Sequence, residues 1–349
     1  MMTKFLFIKN KLIKLSFMKY IFMMMLIIST LITINSSSWM NAWMGMEINL
    51  MSFIPLMSNK FKKKNSNSMM MYFIIQAGAS SMIIIMIILM KIQYINKMNN
   101  LMNLIELSIL MKLGASPFHW WTPKIIINLN WMNCLLFLTW QKIAPLFLLS
   151  SFNYNNSIIY MTALLSCIMG AILGINQSMM KLILIYSSIN HLGWMLMIMI
   201  MNLNMLFYYF LIYSMINMMI CLILMKNKFN LLNQLFKNNN QNMNIKIILL
   251  SLFLSLSGLP PMLGFLPKFF TLMLMLKNNM LIESMIFIIM ATISLSFYIN
   301  PMLSMLILTK INSKWNNKMS FILKNIFSIL IINILIIMFF MFPMINNLM

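Results

Sequence analysis

The sequence has no arginine, no aspartate and only three acidic residues, Glu47, Glu106 and Glu283, among 349. A soluble protein of this size needs a charged surface, and with 8% charged residues there is little to build one from. Cysteine is equally scarce. Cys134, Cys167 and Cys221 fall in three different apolar runs, form no CxxC or Cys/His cluster, and read as small buried hydrophobes. The two histidines, His119 and His191, lie in separate runs and cannot supply the axial ligands of a two-haem membrane cytochrome. No glycine-rich phosphate loop, nucleotide-binding pattern or metal-ligand spacing is present. The chain is therefore expected to hold no cofactor or metal and to do no redox chemistry by itself.

What is present is apolar. Hydrophobic residues make up 62% of the chain and mean hydropathy is +0.89. Runs of about 20 apolar residues recur, the length that crosses ~30 Å of hydrocarbon. They predict an all-α, polytopic membrane protein with helices over 16–38, 39–57, 69–90, 99–128 (broken), 131–151, 157–175, 178–200, 204–226, 243–277 (broken), 280–309 and 323–346. The polar stretches 59–68, 232–242 and 310–318 read as loops. The first run is too long for a signal peptide and no A-x-A site follows it, so it reads as a spanning helix, with Met18 as an alternative start. The wealth of Met, Ile, Asn, Lys and Phe points to an A+T-rich, organellar coding bias.

All 25 basic residues are lysine, and the net charge is +22. Nucleic-acid binding needs such charge gathered on a soluble face. Here it falls in short segments between apolar runs, which argues against a nucleic-acid partner and for membrane topology. On the predicted helices, Lys4, 9, 11, 14, 60, 62, 63, 64, 124, 181, 226, 228, 237, 246, 310, 314, 318 and 324 lie on one side, and only Lys91, Lys97 and Lys277 on the other. The positive-inside rule then puts the N-terminus in the cytoplasm or matrix and the C-terminus opposite.

Two helices carry helix breakers, in KLGASPFHWWTPK (112–124) and SGLPPMLGFLPKFF (257–270). Proline removes a backbone donor, and in lipid the freed carbonyls must face protein or water. The broken helices are the fourth and ninth, so 16–151 and 157–309 read as two inverted five-helix repeats, each broken in fourth place, followed by a C-terminal helix at 323–346. Matching breaks in inverted repeats point to an ion path near the midplane.

Charges inside the apolar runs sharpen that reading. Glu47, Lys112, Lys142 and Lys268 fall within helices, where each ionised group facing lipid costs roughly 2.5–3.5 kcal/mol. They are expected to face the interior. Burial disfavours a charged lysine and a nearby carboxylate favours it, so a lysine held between these pressures exchanges protons near neutral pH. Glu47, Lys112, Lys142 and Lys268 are thus candidates for a proton relay, with His191 and His119 as further candidates. Snorkelling or a structural ion pair is the bland alternative. Glu106 falls on a different face of its helix from Lys112 and reads as structural, as does Glu283 in a first helical turn. Trp39, Trp120, Trp121, Trp131 and Trp315, near helix ends, read as interface anchors.

The stretches WMGMEINLMSFIPL, KLGASPFHWW, LTWQKIAPL, INQSMMKLILIYSSINHLGWM and SGLPPMLGFLPKFF resemble the subunit 2 family of mitochondrial NADH:ubiquinone oxidoreductase (respiratory complex I), in its insect forms, across residues about 20–310. That family is itself similar to bacterial cation/proton antiporter subunits. The resemblance implies eleven helices with the N-terminus in the matrix and the C-terminus in the intermembrane space. It implies location in the mitochondrial inner membrane and proton translocation coupled to electron transfer elsewhere. NADH, FMN, iron–sulfur clusters and ubiquinone would then belong to partner subunits, and the partners would be other membrane subunits, including antiporter-like ones, and inner-membrane lipids. By the same resemblance Glu47 matches the family's intramembrane glutamate, Lys112 and Lys268 the lysines of the two broken helices, and Lys142 the connecting lysine. The sequence departs from the pattern at Met180, where relatives carry arginine, at Lys124, where some are acidic, and in residues 1–15, beyond the usual start. A stand-alone cation/proton antiporter and an inert structural spacer are the rival readings.

Overall fold

The computed structural model describes residues 2–58, 63–92, 98–152, 156–237, 243–260 and 262–311. They form fourteen α-helices and one short 3-10 turn. Among the described residues, seven segments are long and apolar enough to cross a membrane: Ser66–Ile92, Leu101–Ile126, Trp131–Ser150, Ser157–Gly174, Met180–Met201, Leu203–Asn227 and Leu281–Leu303. The chain divides into two compact units.

The first unit holds, of the described residues, 2–58, 63–92, 98–113, 128–133 and 140–152. Its main helices are α1 (Met2–Ile34), α2 (Trp39–Met57), α3 (Lys63–Ile92) and α4 (Met98–Leu113). Ser38 caps α2 by accepting from the Asn41 amide at 3.4 Å. α1 and α2 pack backbone to backbone at Gly45, where a Cβ would lie 3.1 Å from Ser29 O, a closeness small residues permit.

The fifth predicted helix is two pieces, α6 (Trp131–Leu138) and α7 (Trp140–Ser150), meeting at Thr139. The sequence there has no glycine, and only Pro145 hints at an irregular turn. α7 joins α1 and α4 in the first unit.

The second unit holds, of the described residues, 114–127, 134–139, 156–237, 243–260 and 262–311. It contains α5 (Trp121–Ile126), α8 (Asn156–Gly174), α9 (Met180–Met201), α10 (Leu203–Asn227), α11 (Leu232–Lys237), α12 (Met243–Ser257), α13 (Phe265–Lys277) and α14 (Leu281–Ile311). α9 is its axis, packed by α5, α8, α10, α13 and α14 and buried along nearly its whole length. Serines within it (Ser187, Ser188) turn their hydroxyls back to the Leu184 and Ile185 carbonyls, which satisfies polar groups in an apolar interior.

Several expectations change. The first helix begins at Met2 rather than 16 and ends at Ile34, before the Asn35–Ser38 turn. Lysine and leucine are good helix formers, so a helix outlasts the apolar stretch it contains. The third helix begins at Lys63 rather than 69. A short helix, α11, forms inside the expected loop 232–242. Trp121 and Trp131 are buried rather than at an interface: Trp121 follows the chain's turn after the break and packs edge-on against Phe137 at 5.8 Å. The helix expected at 323–346, Trp315 and most of loop 310–318 lie outside the described residues.

Candidate functional site: lysines at the helix breaks

The first break is local chemistry. α4 ends at Leu113, Gly114 takes φ +70, and after Pro117 a 3-10 turn (Phe118–Trp120) leads into α5. A left-handed φ is open to glycine and costs other residues about 1–2 kcal/mol. The chain thus stops being helical two residues after Lys112. The carbonyl of Lys112, orphaned by the break, accepts from Gln76 Nε2 of α3 at 3.1 Å. The Lys112 side chain is 7% exposed. Its Nζ meets Met46 Sδ of α2 at 3.8 Å, and Glu47, the next residue, acts on it electrostatically. Glu47 itself is half-buried rather than enclosed.

Lys142 lies one turn after the Thr139 interruption and is 4% exposed. Its neighbour Gln141 links three helices: Gln141 Nε2 donates to Asn49 Oδ1 of α2 at 3.0 Å, and Tyr72 of α3 donates to Gln141 Oε1 at 3.3 Å. The first unit therefore holds Glu47, Lys112 and Lys142 on a frame of neutral amides. Asn49, Gln76 and Gln141 were not picked out from the sequence. Their signal was an amide in an apolar run, which names a residue but not its partner.

The second break has a different arrangement. α12 ends at Ser257 and Gly258 takes φ +80. Lys268, in α13 and 5% exposed, folds back so that Nζ donates to Ser257 O at 2.8 Å and Leu256 O at 3.2 Å. These are carbonyls left without intrahelical partners. A Cβ on Gly258 would stand 2.8 Å from Lys268 Cδ, so the glycine supplies both the turn and the room for the side chain.

The two histidines are unequal. His191 is buried on α9; its Nδ1 lies 2.7 Å from Tyr209 OH, and its ring centroid is 5.2 Å from that of Tyr213. His119 sits half-buried in the 3-10 turn, where its carbonyl accepts from Thr122 Oγ1 at 2.9 Å. Cys134, Cys167 and Cys221 are buried and free, and Cys167 donates to Asn190 Oδ1 at 3.2 Å. Met180 is enclosed at the start of α9, while the next residue, Lys181, donates to Ile127 O at 3.2 Å and caps α5. Glu283 accepts a hydrogen bond from Tyr160. Among the described residues no group of three or more His, Cys, Asp or Glu could hold a metal ion.

Long apolar helices, interrupted beside buried lysines, define a polytopic α-helical membrane protein with ionisable groups in its interior. Residues 36–294 match the family described as NADH:quinone oxidoreductase/Mrp antiporter, transmembrane, and the chain belongs to that family. It is 45% identical over 325 residues to NADH-ubiquinone oxidoreductase chain 2 of Aedes aegypti, covering 91% of this chain and 94% of that protein. It is 40% identical over 313 residues to the chain of the same name from Anopheles gambiae, covering 86% and 91%. In fold it is similar to a chain of respiratory complex I from Thermus thermophilus with bound aureothin, with a TM-score of 0.77 at 19% identity over 83% of this chain and 70% of that one. A chain of the Mrp complex from Dietzia sp. has a similar fold, with a TM-score of 0.68 at 12% identity over 81% and 59%.

Proposed function

We propose that this chain is a core membrane subunit of a proton-translocating NADH:ubiquinone oxidoreductase in the mitochondrial inner membrane. It matches the chain 2 relatives over most of their length. NADH, FMN, iron–sulfur clusters and ubiquinone belong to partner subunits, and this chain contributes a proton path. The observation that carries the reading is the placement of Lys112, Lys142 and Lys268, each enclosed and each within about a turn of a helix interruption. Intramembrane ionisable groups at discontinuous helices are the usual parts of an ion path.

In this reading Glu47 and Lys112 form the controlling pair of the first unit. While the pair holds, Lys112 stays charged. Weakening it by conformational or electrostatic change in the complex releases a proton towards Lys142, with Lys268 the corresponding lysine of the second unit. His191 and His119 assist as hydrogen-bonding or relay groups. Eleven spanning helices in two inverted repeats, 16–151 and 157–309, are the architecture we infer for it in the membrane. The N-terminus lies in the matrix and the C-terminus in the intermembrane space, with antiporter-like subunits and inner-membrane lipids as neighbours.

The test is proton pumping and NADH:quinone turnover in assembled complex carrying Lys142→Met. Retained assembly with impaired pumping is expected, and normal pumping would favour an inert spacer. The Mrp-like fold also fits a stand-alone antiporter, and co-migration of the native protein with NADH-oxidising subunits separates the two.

A further inference from the structure

Of the three glutamates in this chain, two act on another polar group. Glu47 interacts with Lys112, and Glu283 with Tyr160. Glu106 is different. Its side chain is 0% exposed, and neither carboxyl oxygen has a hydrogen-bond partner among the described residues. It stands in α4, about a turn and a half inside the span that begins at Leu101.

A purely structural reading fits this placement badly. Buried polar groups that hold a fold together are hydrogen-bonded. A position that only needs filling is served by an apolar side chain, and this chain has 48 methionines and three acidic residues. An enclosed carboxylate has lost the donors that water gave it, while the neutral acid gives up far less on burial. A group so placed tolerates enclosure when it carries a proton, and shedding that proton requires a cation or water to come to it.

The nearest titratable residue along the helix is Lys112, six residues on, about 9 Å along the axis and about 120° round it, so exchange between them runs through water rather than by direct contact. Lys112 has the Glu47 carboxylate acting on it from α2. Glu106 lies on the other side along α4, between Lys112 and the membrane face at which the helix begins. We propose that Glu106 is a further proton-binding site of the first unit, holding a proton in exchange with Lys112 on its way to or from that face. The proposal rests on the proton-translocating reading above.

The exchange balances without any other reactant than water. The Lys112 ammonium gives one proton to a short water chain, and the Glu106 carboxylate takes one from its far end. An ammonium and a carboxylate become a neutral amine and a neutral carboxylic acid, and the reverse transfer restores both charges. Glu47, outside this exchange, sets how readily Lys112 gives its proton up.

The test is infrared difference spectroscopy of the whole complex between its resting and NADH-reduced states, with Glu106→Gln and Glu106→Asp beside the native enzyme. A carboxylic C=O band that shifts in D2O is expected in the native spectrum. It should be lost in Glu106→Gln, which keeps the shape and removes the proton, and displaced in Glu106→Asp. If the glutamine variant fails to assemble, the displacement in the aspartate variant decides. A spectrum unchanged by both substitutions would overturn the proposal, whatever happens to pumping, because a structural carboxyl affects assembly without contributing this band. The outcome is separable from the wider reading: normal pumping in Lys142→Met would count against the relay, while a lost band counts only for Glu106.

Discussion

The two breaks use the same parts in opposite order. At the first break the lysine precedes the glycine, and at the second it follows. In the first, Gln76 caps the orphaned carbonyl, which leaves the Lys112 ammonium to Met46 and Glu47. In the second, the Lys268 ammonium is itself the cap, bound to Leu256 O and Ser257 O. A neutral amide does the structural work at one break and a cation does it at the other. Charge and scaffold are thus separable in the first unit and joined in the second.

The largest effect that tests this contrast is expected from Lys268→Met. It removes two charge-assisted hydrogen bonds from enclosed carbonyls, at about 1.5–3 kcal/mol each. Lower yield of assembled complex on native gels, together with lost pumping, is expected. Lys112→Met should abolish pumping through this subunit while assembly stays near native, because the Gln76 cap remains. Equal assembly defects in the two variants would break the comparison.

Gly258→Ala places a side chain at φ +80 and 2.8 Å from Lys268 Cδ. A loss of about 1–2 kcal/mol from the backbone alone is expected. Gly78→Ala, inside α3 where a Cβ meets nothing within 4 Å, is the contrasting control and should stabilise by about 0.5–1 kcal/mol.

A subtler effect comes from Glu47→Gln. It should slow pumping with little change in assembly, and in the proposed pairing its combination with Lys112→Met gives a less than additive loss. Fully additive losses would separate Glu47 from Lys112. The smallest effect on pumping is expected from Gln76→Leu, which leaves one carbonyl unpaired and costs about 1–3 kcal/mol of stability. A modest fall in melting temperature with pumping largely kept would show that the amide is only a cap.

Much of this was legible in the sequence, for physical reasons. α2 runs over Trp39–Met57 as the apolar stretch predicts, and both broken helices stop at glycine. Hydropathy and backbone breakers are local signals. The interruption at Thr139 was not legible, because no glycine marks it. The links Asn49–Gln141–Tyr72 and Gln76–Lys112 were also hidden, because pairing depends on which helices become neighbours. Trp121 and Trp131 misled because tryptophan near a helix end is as much at home under a neighbouring turn as at a lipid headgroup. Glu106 read as structural from its position on the helix alone, and its complete enclosure without a hydrogen-bond partner among the described residues points the other way.

The cap at the second break has one more consequence. An ammonium has three hydrogens, and Leu256 and Ser257 take two of them. A neutral amine still has two. Lys268 can therefore lose its third hydrogen and regain it without letting go of the helix end, like a hand that passes an object while its wrist stays strapped. Charge at this site can come and go faster than the backbone has to move.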